Sequence, residues 1–246
     1  MIIRATAIPL AVFPYSSTSR IVHWITRHHG KVSTLLKGAL RPKSPFLGEY
    51  ALFSTSELLY FAKHTDTLHT GKECALLQNR SAFRTNWRAM QTASYLSALF
   101  SKTTPEEAPS SELFELFEEL LDLAEEYGSF PQFLLWAEFQ FCSHHGQTPN
   151  LKNCVLCTSE KALRFCASQG GVICSTCAKA RKLPTLGSPP DILAILRTWQ
   201  AADHPAAVIH THLTGKQQTK LNAICSTFMH YHNHLKPHHR TAAMIV

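Results

Sequence analysis

The hydrophobic pattern of the chain changes its period near Leu76, and this change restricts the possible folds more than any other feature. Before Leu76, short runs of β-branched and aromatic residues are separated by Pro and Gly, as in a small all-β domain. We predict strands at Ile2–Val12, Arg20–Thr26, Val32–Leu36, Tyr50–Ser54 and Leu58–Lys63. About five strands in some 75 residues is the size of a Greek-key barrel such as an OB-fold, with a fragment of a β-sandwich as the alternative.

After Leu76 the apolar residues recur at helical spacing. Ser110 or Ser111 is suited to cap the second helix, and Pro131 to open the third. The segments predicted to be helical are residues 80–101, 111–128, 133–144, 190–199 and 216–235. The predicted fold class is therefore α+β, with an OB-fold barrel in residues 1–78 and a helical domain in residues 79–246. The acids between Glu106 and Glu126 are predicted to form a solvated helix face, because they alternate with the apolar stripe.

Composition favours a globular cytoplasmic protein. Hydrophobic residues make up 45% and charged residues 17% of the 246-residue chain, which excludes an intrinsically disordered protein. No apolar run approaches the roughly 20 residues that a membrane span requires. Arg4 and the apolar run after it imitate a signal peptide poorly, because Pro9 interrupts the run. In the cytoplasm the eight cysteines stay reduced, so we expect metal ligands or buried thiols and not disulfides.

The net charge of +7 is unevenly distributed along the chain. Residues 1–80 carry ten Lys or Arg against four acids, residues 81–146 three against ten, and residues 147–246 eleven against three. Two basic segments that flank an acidic one favour an anionic partner, of which nucleic acid is the usual example.

Four cysteines in two pairs give the most specific motif. Cys154 and Cys157 form one Cys-x2-Cys pair, and Cys174 and Cys177 form the second after sixteen residues, within a cysteine-rich insertion at about 150–183. This spacing predicts one structural Zn²⁺ per chain, because four thiolates fill a tetrahedral shell and leave no open position for catalysis. A rubredoxin-like iron or simply reduced apolar cysteines are the alternatives. Gly170 and Gly171 precede the second pair and permit a tight turn.

The remaining cysteines and the histidines give weaker signals. We expect four cysteines to be buried thiols, namely Cys74, Cys142, Cys166 and Cys225. The histidines near the end of the chain are predicted to be surface residues beside the cations Lys236 and Arg240, and not a metal site. They are His230, His232, His234, His238 and His239. The first three cannot bind one metal together, since a spacing of two places neighbours on different sides of a helix.

Catalysis is not indicated. None of the Gly-Lys pairs is followed by Ser or Thr, so a P-loop is missing, and the chain has no Gly-x-Ser-x-Gly, His-Glu-x-x-His or dinucleotide-binding motif. The His-x-Glu half of a zinc deaminase is missing as well. We therefore expect a binding protein and not an enzyme.

A basic cluster in the predicted barrel is the candidate for nucleic-acid binding. An OB-fold binds single strands by placing cations along the phosphates and aromatic rings against the bases. The cations are Arg20, Arg27, Lys31, Lys37, Arg41 and Lys43. The aromatic candidates are Tyr15, His23 and Trp24, and the alternative is that Trp24 lies in the barrel core.

Several longer stretches resemble one protein family. The stretches are "YSSTSRIV" at 15–22, "HHGKVSTLLKGALRPKS" at 28–44, "ASYLSALF" at 93–100, "FLLWAEFQFCSHHGQTPNLKNCVLC" at 133–157 and "GGVICSTC" at 170–177. In this order they resemble the bacterial recombination mediator RecO. The serine run from Ser16 to Ser19 replaces the acidic residue usual after the first tyrosine, and Leu40 replaces a basic residue.

The resemblance implies a function in DNA repair and a set of partners. It implies an OB-fold and a helical domain with a zinc knuckle, binding of single- and double-stranded DNA, and annealing of complementary strands without ATP. With RecR, such a protein helps RecA load on DNA coated by the single-strand binding protein SSB. The alternative is an RNA- or ribosome-associated zinc protein, because an OB-fold serves RNA equally well.

The resemblance also implies a pocket in the helical domain for the acidic tail of SSB. Such a tail needs an apolar groove with cations at its edge. The predicted residues lie on the last two helices and are Arg197, Lys216, Lys220, Leu221 and Ile224. Further candidates are Leu193, Leu196, Trp199 and Phe228 for the groove and Lys236 or Arg240 for the edge. The alternative for each apolar residue is that it closes the core of the helical domain.

Overall fold

The computed structural model describes residues 1–63, 68–234 and 240. The chain divides into two compact units, residues 1–126 and 127–246. Within the described parts of the chain, no helix combines the length and apolarity needed to cross a membrane.

The first unit contains a closed five-stranded barrel in the order β1-β2-β3-β5-β4. Antiparallel pairing of β1 with β4 closes it, and β3 pairs with β5 in parallel. The strands are β1 (Ile2–Pro14), β2 (Arg20–Thr26), β3 (Gly30–Leu36), β4 (Thr55–Phe61) and β5 (Leu68–Gln78). This is an OB-like barrel followed by a helical region, so the predicted fold class is confirmed.

One predicted strand, Tyr50–Ser54, does not form, and one strand of the barrel was not predicted. Residues 50–54 form turns, with Ser54 N–H donating to the Ala51 carbonyl at 3.2 Å and Phe53 at a φ of 67°. The fifth strand of the barrel is β5, and no strand was predicted in its range. Its inward positions include His69 and Gly71, so it lacks the apolar alternation by which a strand is recognised.

The barrel core is formed by alternating side chains of all five strands. Trp24 is fully buried in it, and its Nε1–H donates to Thr34 Oγ1 at 2.8 Å. An indole in this position satisfies its one polar group internally and cannot contact a base. Trp24 is therefore a core residue, as the alternative interpretation held.

Helices α1 (Ala82–Thr85), α2 (Trp87–Thr103) and α3 (Ser111–Tyr127) follow the barrel. The predicted single helix over 80–101 is broken at Asn86, whose side chain accepts from the Ala89 N–H and caps α2. Ser110 Oγ accepts from the Leu113 N–H at 3.2 Å at the start of α3, as expected of an N-cap.

The acidic face of α3 is not simply solvated, and this corrects the sequence prediction. Asp122 accepts from Arg80 Nε at 2.7 Å, and Glu118 accepts from the Thr55 hydroxyl at 3.0 Å. Glu125 accepts from the Ala82 N–H at 3.1 Å. The carboxylates thus anchor α3 to the rest of its unit, which a one-dimensional helical pattern cannot show.

The second unit combines helices with a small sheet of order β7-β6-β8. Its elements are α4 (Pro131–His144), β6 (Arg164–Cys166), β7 (Gly171–Ile173), α5 (Ser175–Ala180), β8 (Leu186–Gly187), α6 (Pro190–Gln200), α7 (Ala206–Ile209) and α8 (Gly215–Asn233). A capping box of Thr214 and Gln217 starts α8. The predicted end of this helix, Leu235, lies outside the described residues.

A buried ion pair fixes Arg240 in the second unit. Its guanidinium donates to both carboxylate oxygens of Glu138 in α4, from Nε at 2.6 Å and from Nη2 at 2.9 Å. Glu138 is 2% exposed and Arg240 6%. Because removal of one partner would leave a buried charge, Arg240 has a structural role and is not the surface cation that the sequence analysis considered.

Candidate metal centre and nucleic-acid interface

The two cysteine pairs meet in the second unit. Cys154 and Cys157 lie at a turn between α4 and β6. Cys174 is the N-cap of α5, and Cys177 lies inside that helix. The four Sγ atoms all lie within 4.8 Å of one another. They form the candidate metal site among the described residues. The sequence prediction that these four cysteines come together is therefore correct.

The sulfur geometry fits a tetrahedral metal. Four sulfurs at about 2.3 Å from a central Zn²⁺ are about 3.8 Å apart along each edge of the tetrahedron. Cys157 Sγ and Cys174 Sγ are 3.7 Å apart, one from each pair. Four sulfur donors and no nitrogen or oxygen donor suit zinc or iron and exclude hard ions such as Mg²⁺.

Backbone N–H groups prepare the thiols for a cation. Burial acts to raise the pKa of Cys154, but hydrogen bonds from the backbone near Cys174, Leu156 and Cys157 outweigh it and lower that pKa to about 6. The N–H of Cys177 donates to Cys174 Sγ at 3.4 Å and lowers the pKa of Cys174. The neighbouring thiols Cys157 and Cys174 raise the pKa of Cys177 to about 12. Four thiolates so close together need a divalent cation among them.

The two glycines before the second pair have separate roles. Gly170 has a φ of 68° and ends a short 3-10 turn over Ala167–Gln169. Gly171 lies against the backbone of Asn150, where an added Cβ would be 2.3 Å from the carbonyl oxygen. This close approach lets Val172 N–H donate to Asn150 at 2.8 Å, so the segment before the first cysteine pair is fastened to β7 beside the second pair.

The other four cysteines lie outside the metal group and are buried, as predicted. Burial raises the pKa of Cys74 and of Cys225 to about 12, and it also raises the pKa of Cys142. Cys166 lies in β6 and is fully buried. Thiols held in the protonated form in this way are poor metal ligands and poor nucleophiles.

Three of the predicted DNA-binding cations share one large cavity of the barrel. This basic cavity has a volume of about 890 Å³ and no acidic residue among its lining side chains. Lys37, Arg41 and Lys43 are exposed there together with Tyr15, whose side chain is 60% exposed. The remaining lining residues are Ser16, Thr18, Ser19, Leu35, Gly38, Ser44 and Pro45. The hydroxyl groups were missed in the sequence analysis, although the run Ser16–Ser19 had been noted as a departure from the family pattern.

The other three cations are held by neighbouring groups. Arg27 donates to Glu115 at 2.9 Å and to Glu118 at 3.0 Å, and its guanidinium lies over the Phe114 ring. Lys31 Nζ lies 3.2 Å from Glu106 and donates to the Ser101 carbonyl at 2.9 Å.

Arg20 donates to the carbonyls of Ser16 and Ser19, at 3.2 and 2.9 Å. It therefore shapes the loop that lines the basic cavity. His23 is partly buried beside the Phe13 ring, 5.0 Å between centroids. Of the three aromatic candidates, Tyr15 is thus the one that lies in the cavity.

The five residues predicted for the SSB tail are not brought together on one open surface. Leu221 and Ile224 are buried in the core of the second unit. Arg197 donates to the Leu151 carbonyl at 2.7 Å and supports the segment before the first cysteine pair. Lys216 is exposed and Lys220 partly exposed on α8.

The further groove candidates are buried too, namely Leu193, Leu196, Trp199 and Phe228. An open groove of about 230 Å³ lies beside α8 and includes Leu186, Thr227 and the half-exposed Tyr231. Lys220 Nζ lies within 4.0 Å of the position a Cβ would take on Gly187, next to this groove. The sequence does not reveal this groove, because the residues that line it come from 165–168, 184–186 and 227–231, which are far apart in the chain.

The predicted histidine cluster is only partly described. His230 and His234 are exposed, and His232 hydrogen-bonds the Ala167 carbonyl at 3.0 Å. His238, His239 and Lys236 lie outside the described residues. Where they are described, these histidines form no metal group.

Comparison with known families gives two matches that together cover nearly the whole chain. A family model described as "Recombination protein O N terminal" matches residues 1–80. A second model, "Recombination protein O C terminal", matches residues 84–241.

Individual relatives carry the same description. A DNA repair protein RecO of Syntrophus aciditrophicus (strain SB) is 30% identical over 190 residues, which are 76% of this chain and 71% of the relative. A DNA repair protein RecO of Bacillus pumilus (strain SAFR-032) is 29% identical and covers 72% of this chain and 69% of its own. One of Myxococcus xanthus (strain DK1622) is 25% identical over 92% of this chain and 90% of its own.

Proposed function

Because the chain belongs to the RecO family of DNA repair proteins, we propose that it is a non-enzymatic recombination mediator of the cytoplasm. In this role it binds single- and double-stranded DNA and anneals complementary strands without ATP. With RecR it helps RecA load on DNA coated by SSB.

The basic cavity is the observation that carries this proposal. Lys37, Arg41 and Lys43 offer three exposed positive charges around one space, and the lining contains no carboxylate to repel a phosphate. Tyr15 adds an exposed ring against which a base can stack. Cations beside an aromatic ring are the means by which OB-folds hold single strands with little sequence preference.

A pair of neutral substitutions tests this role. In the variant Arg41→Gln with Lys43→Gln, the slope of log affinity against log salt for a single strand should fall by about one to two, because each lost phosphate contact removes about 0.7 of slope. The matched control is Arg84→Gln with Arg88→Gln, two exposed cations of the same unit that do not line the cavity. An unchanged slope in the first variant, with the fold intact by circular dichroism, would refute the assignment of the DNA site.

Zinc is the metal we propose for the four cysteines, one ion per chain and structural. The four-sulfur donor set and the 3.7 Å edge support it. When bound, zinc would supply the link between the two cysteine pairs. The residues that hold it would be Cys154, Cys157, Cys174 and Cys177.

For the SSB tail we propose the groove beside α8 and not the buried residues of that helix. Tyr231 and Leu186 offer apolar surface, and Lys220 beside Gly187 offers positive charge for an acidic peptide with a free carboxylate. Lys216 lies four residues earlier on α8 and adds a second cation, which is exposed. Lys216→Glu with Lys220→Glu should weaken binding of a tail peptide by more than about tenfold, or ~1.4 kcal/mol, and leave binding of bare single strands unchanged. Fluorescence anisotropy with a labelled peptide measures both, and equal affinity of parent and variant would exclude this groove.

A further inference from the structure

A second basic surface lies around the metal centre, in residues 150–187, here named the cysteine module. The module contains six cations against one acid, Glu160. Five of the cations are exposed and form no ion pair with any described residue. They are Lys152, Lys161, Lys179, Arg181 and Lys182.

The metal centre does not account for this charge. A divalent ion with four thiolates has a net charge of about −2, which attracts some cations to any such site. Six cations exceed this charge and that of Glu160 together, so the module stays positive with the metal bound. Unpaired charges of one sign on a small surface repel each other and are stabilised by an anionic partner.

The backbone that carries these cations is well held. Arg181 N–H donates to the Cys177 carbonyl at 3.1 Å and Lys182 N–H to the Lys179 carbonyl at 3.2 Å. Lys182 has a φ of 50°, so the chain turns sharply after α5. Three cations are therefore displayed on one hydrogen-bonded turn that begins at a metal ligand. Lys152 precedes the other cysteine pair by two residues, and Lys161 follows it by four.

The module has no aromatic platform. Its one aromatic residue is Phe165, which is 2% exposed. Bases of a single strand therefore find no ring to stack on, and only phosphates are recognised. This distinguishes the module from the basic cavity, where Tyr15 is exposed beside the cations.

We propose that the cysteine module is a second nucleic-acid surface that grips the phosphate backbone and does not distinguish duplex from single strand. The inference rests on the proposed DNA-binding function and extends it. The module would hold a duplex, such as the product of annealing, by charge alone. Its binding should therefore be independent of sequence and strongly dependent on salt.

The experiment compares charge reversal at the module with charge reversal at the cavity. The variants are Lys179→Glu with Arg181→Glu and Lys182→Glu, and Arg41→Glu with Lys43→Glu. Both are titrated with a short duplex and a single strand of equal length over a range of salt. The matched control is Arg84→Glu with Arg88→Glu, two exposed cations that lie in neither the module nor the cavity.

The module variant should lose duplex affinity by at least tenfold and about two to three units of salt slope, at about 0.9 per phosphate contact. The cavity variant should lose single-strand affinity more than duplex affinity. Unchanged duplex binding by the module variant would overturn this inference and leave the proposed function standing. Unchanged single-strand binding by the cavity variant would instead count against the proposed DNA site.

A second variant separates charge from folding. Lys179→Gln with Arg181→Gln and Lys182→Gln removes the charge without adding repulsion, and its metal content is measured alongside its affinity. If the metal is retained, the salt slope for the duplex should fall by about two to three, as it should in the charge-reversal variant of the module. A slope equal to that of the parent would refute the module as a phosphate surface.

Discussion

Six barrel cations are predicted to bind DNA and the cysteine module also carries six cations, but the structure treats the two sets differently. In the barrel, Arg27 and Lys31 are paired with acids of the same unit, while Lys37, Arg41 and Lys43 are left around the basic cavity. In the module, a single acid accompanies the cations, and none of the five exposed ones pairs with an acid in the described part of the chain. Basic residues in a sequence therefore indicate a binding surface for an anionic partner only if they do not form ion pairs within the protein.

The two regions also hold their charges in place by different means. The barrel is a closed sheet with an apolar core that includes Trp24. The cysteine module has three strands of two or three residues, too little to hold a surface by packing alone. Four cysteine sulfurs within 4.8 Å of one another add to the few buried apolar residues there, such as Phe165 and Val172.

The largest expected effect therefore comes from removing the metal. Structural zinc contributes about 10–16 kcal/mol to the folding of zinc-finger peptides, so Cys174→Ser should unfold the module and leave the barrel folded. Limited proteolysis should cut within residues 150–187, and elemental analysis should find no zinc. The control is Cys166→Ser, a buried cysteine outside the metal group, which should keep its zinc. A protease-resistant Cys174→Ser variant without metal would show that the module needs no ion.

An intermediate effect is expected at Tyr15. A base stacked on an aromatic ring contributes about 1–3 kcal/mol, so Tyr15→Ala should weaken single-strand binding by roughly 5- to 150-fold. Duplex binding should change little, because paired bases do not reach the ring. Tyr15→Phe, which keeps the ring, should bind as the parent does. If Tyr15→Ala lowered the affinity for single strand and for duplex equally, the proposed difference between the basic cavity and the cysteine module would be refuted.

The smallest effect should follow from releasing Arg27. Glu115→Gln with Glu118→Gln removes the carboxylates that hold it, and the freed guanidinium can then contact a phosphate. The salt slope should rise by about one, while stability falls by no more than about 1 kcal/mol for such partly exposed pairs. Glu112→Gln with Glu119→Gln removes the same charge from exposed positions of α3 and should raise the slope less. An equal rise in both variants would mean that only net charge matters.

Much of the fold follows from the sequence alone. The change of period near Leu76 predicted a barrel and then helices, and the two Cys-x2-Cys pairs predicted which four of eight cysteines come together. These patterns are local. The apolar residues of a strand or an amphipathic helix recur every few residues, and the two cysteines of a knuckle are three residues apart. The strand β5 was missed because its inward positions include a histidine and a glycine, which break the apolar alternation.

Which residues share a surface was decided by the tertiary structure. Sequence could not separate Arg27 and Lys31 from Lys37, Arg41 and Lys43, because the acids that hold the first two lie about 75 to 90 residues further along the chain. It left open whether Leu221 and Ile224 line a groove or close the core, and it could not show the groove beside α8. Ion pairs and grooves form between segments that are distant in the chain. Because such contacts depend on short distances in space, neither segment shows a periodic pattern that would predict them. The chain's composition thus determined the kinds of side chain, and packing determined which of them remain available to a partner.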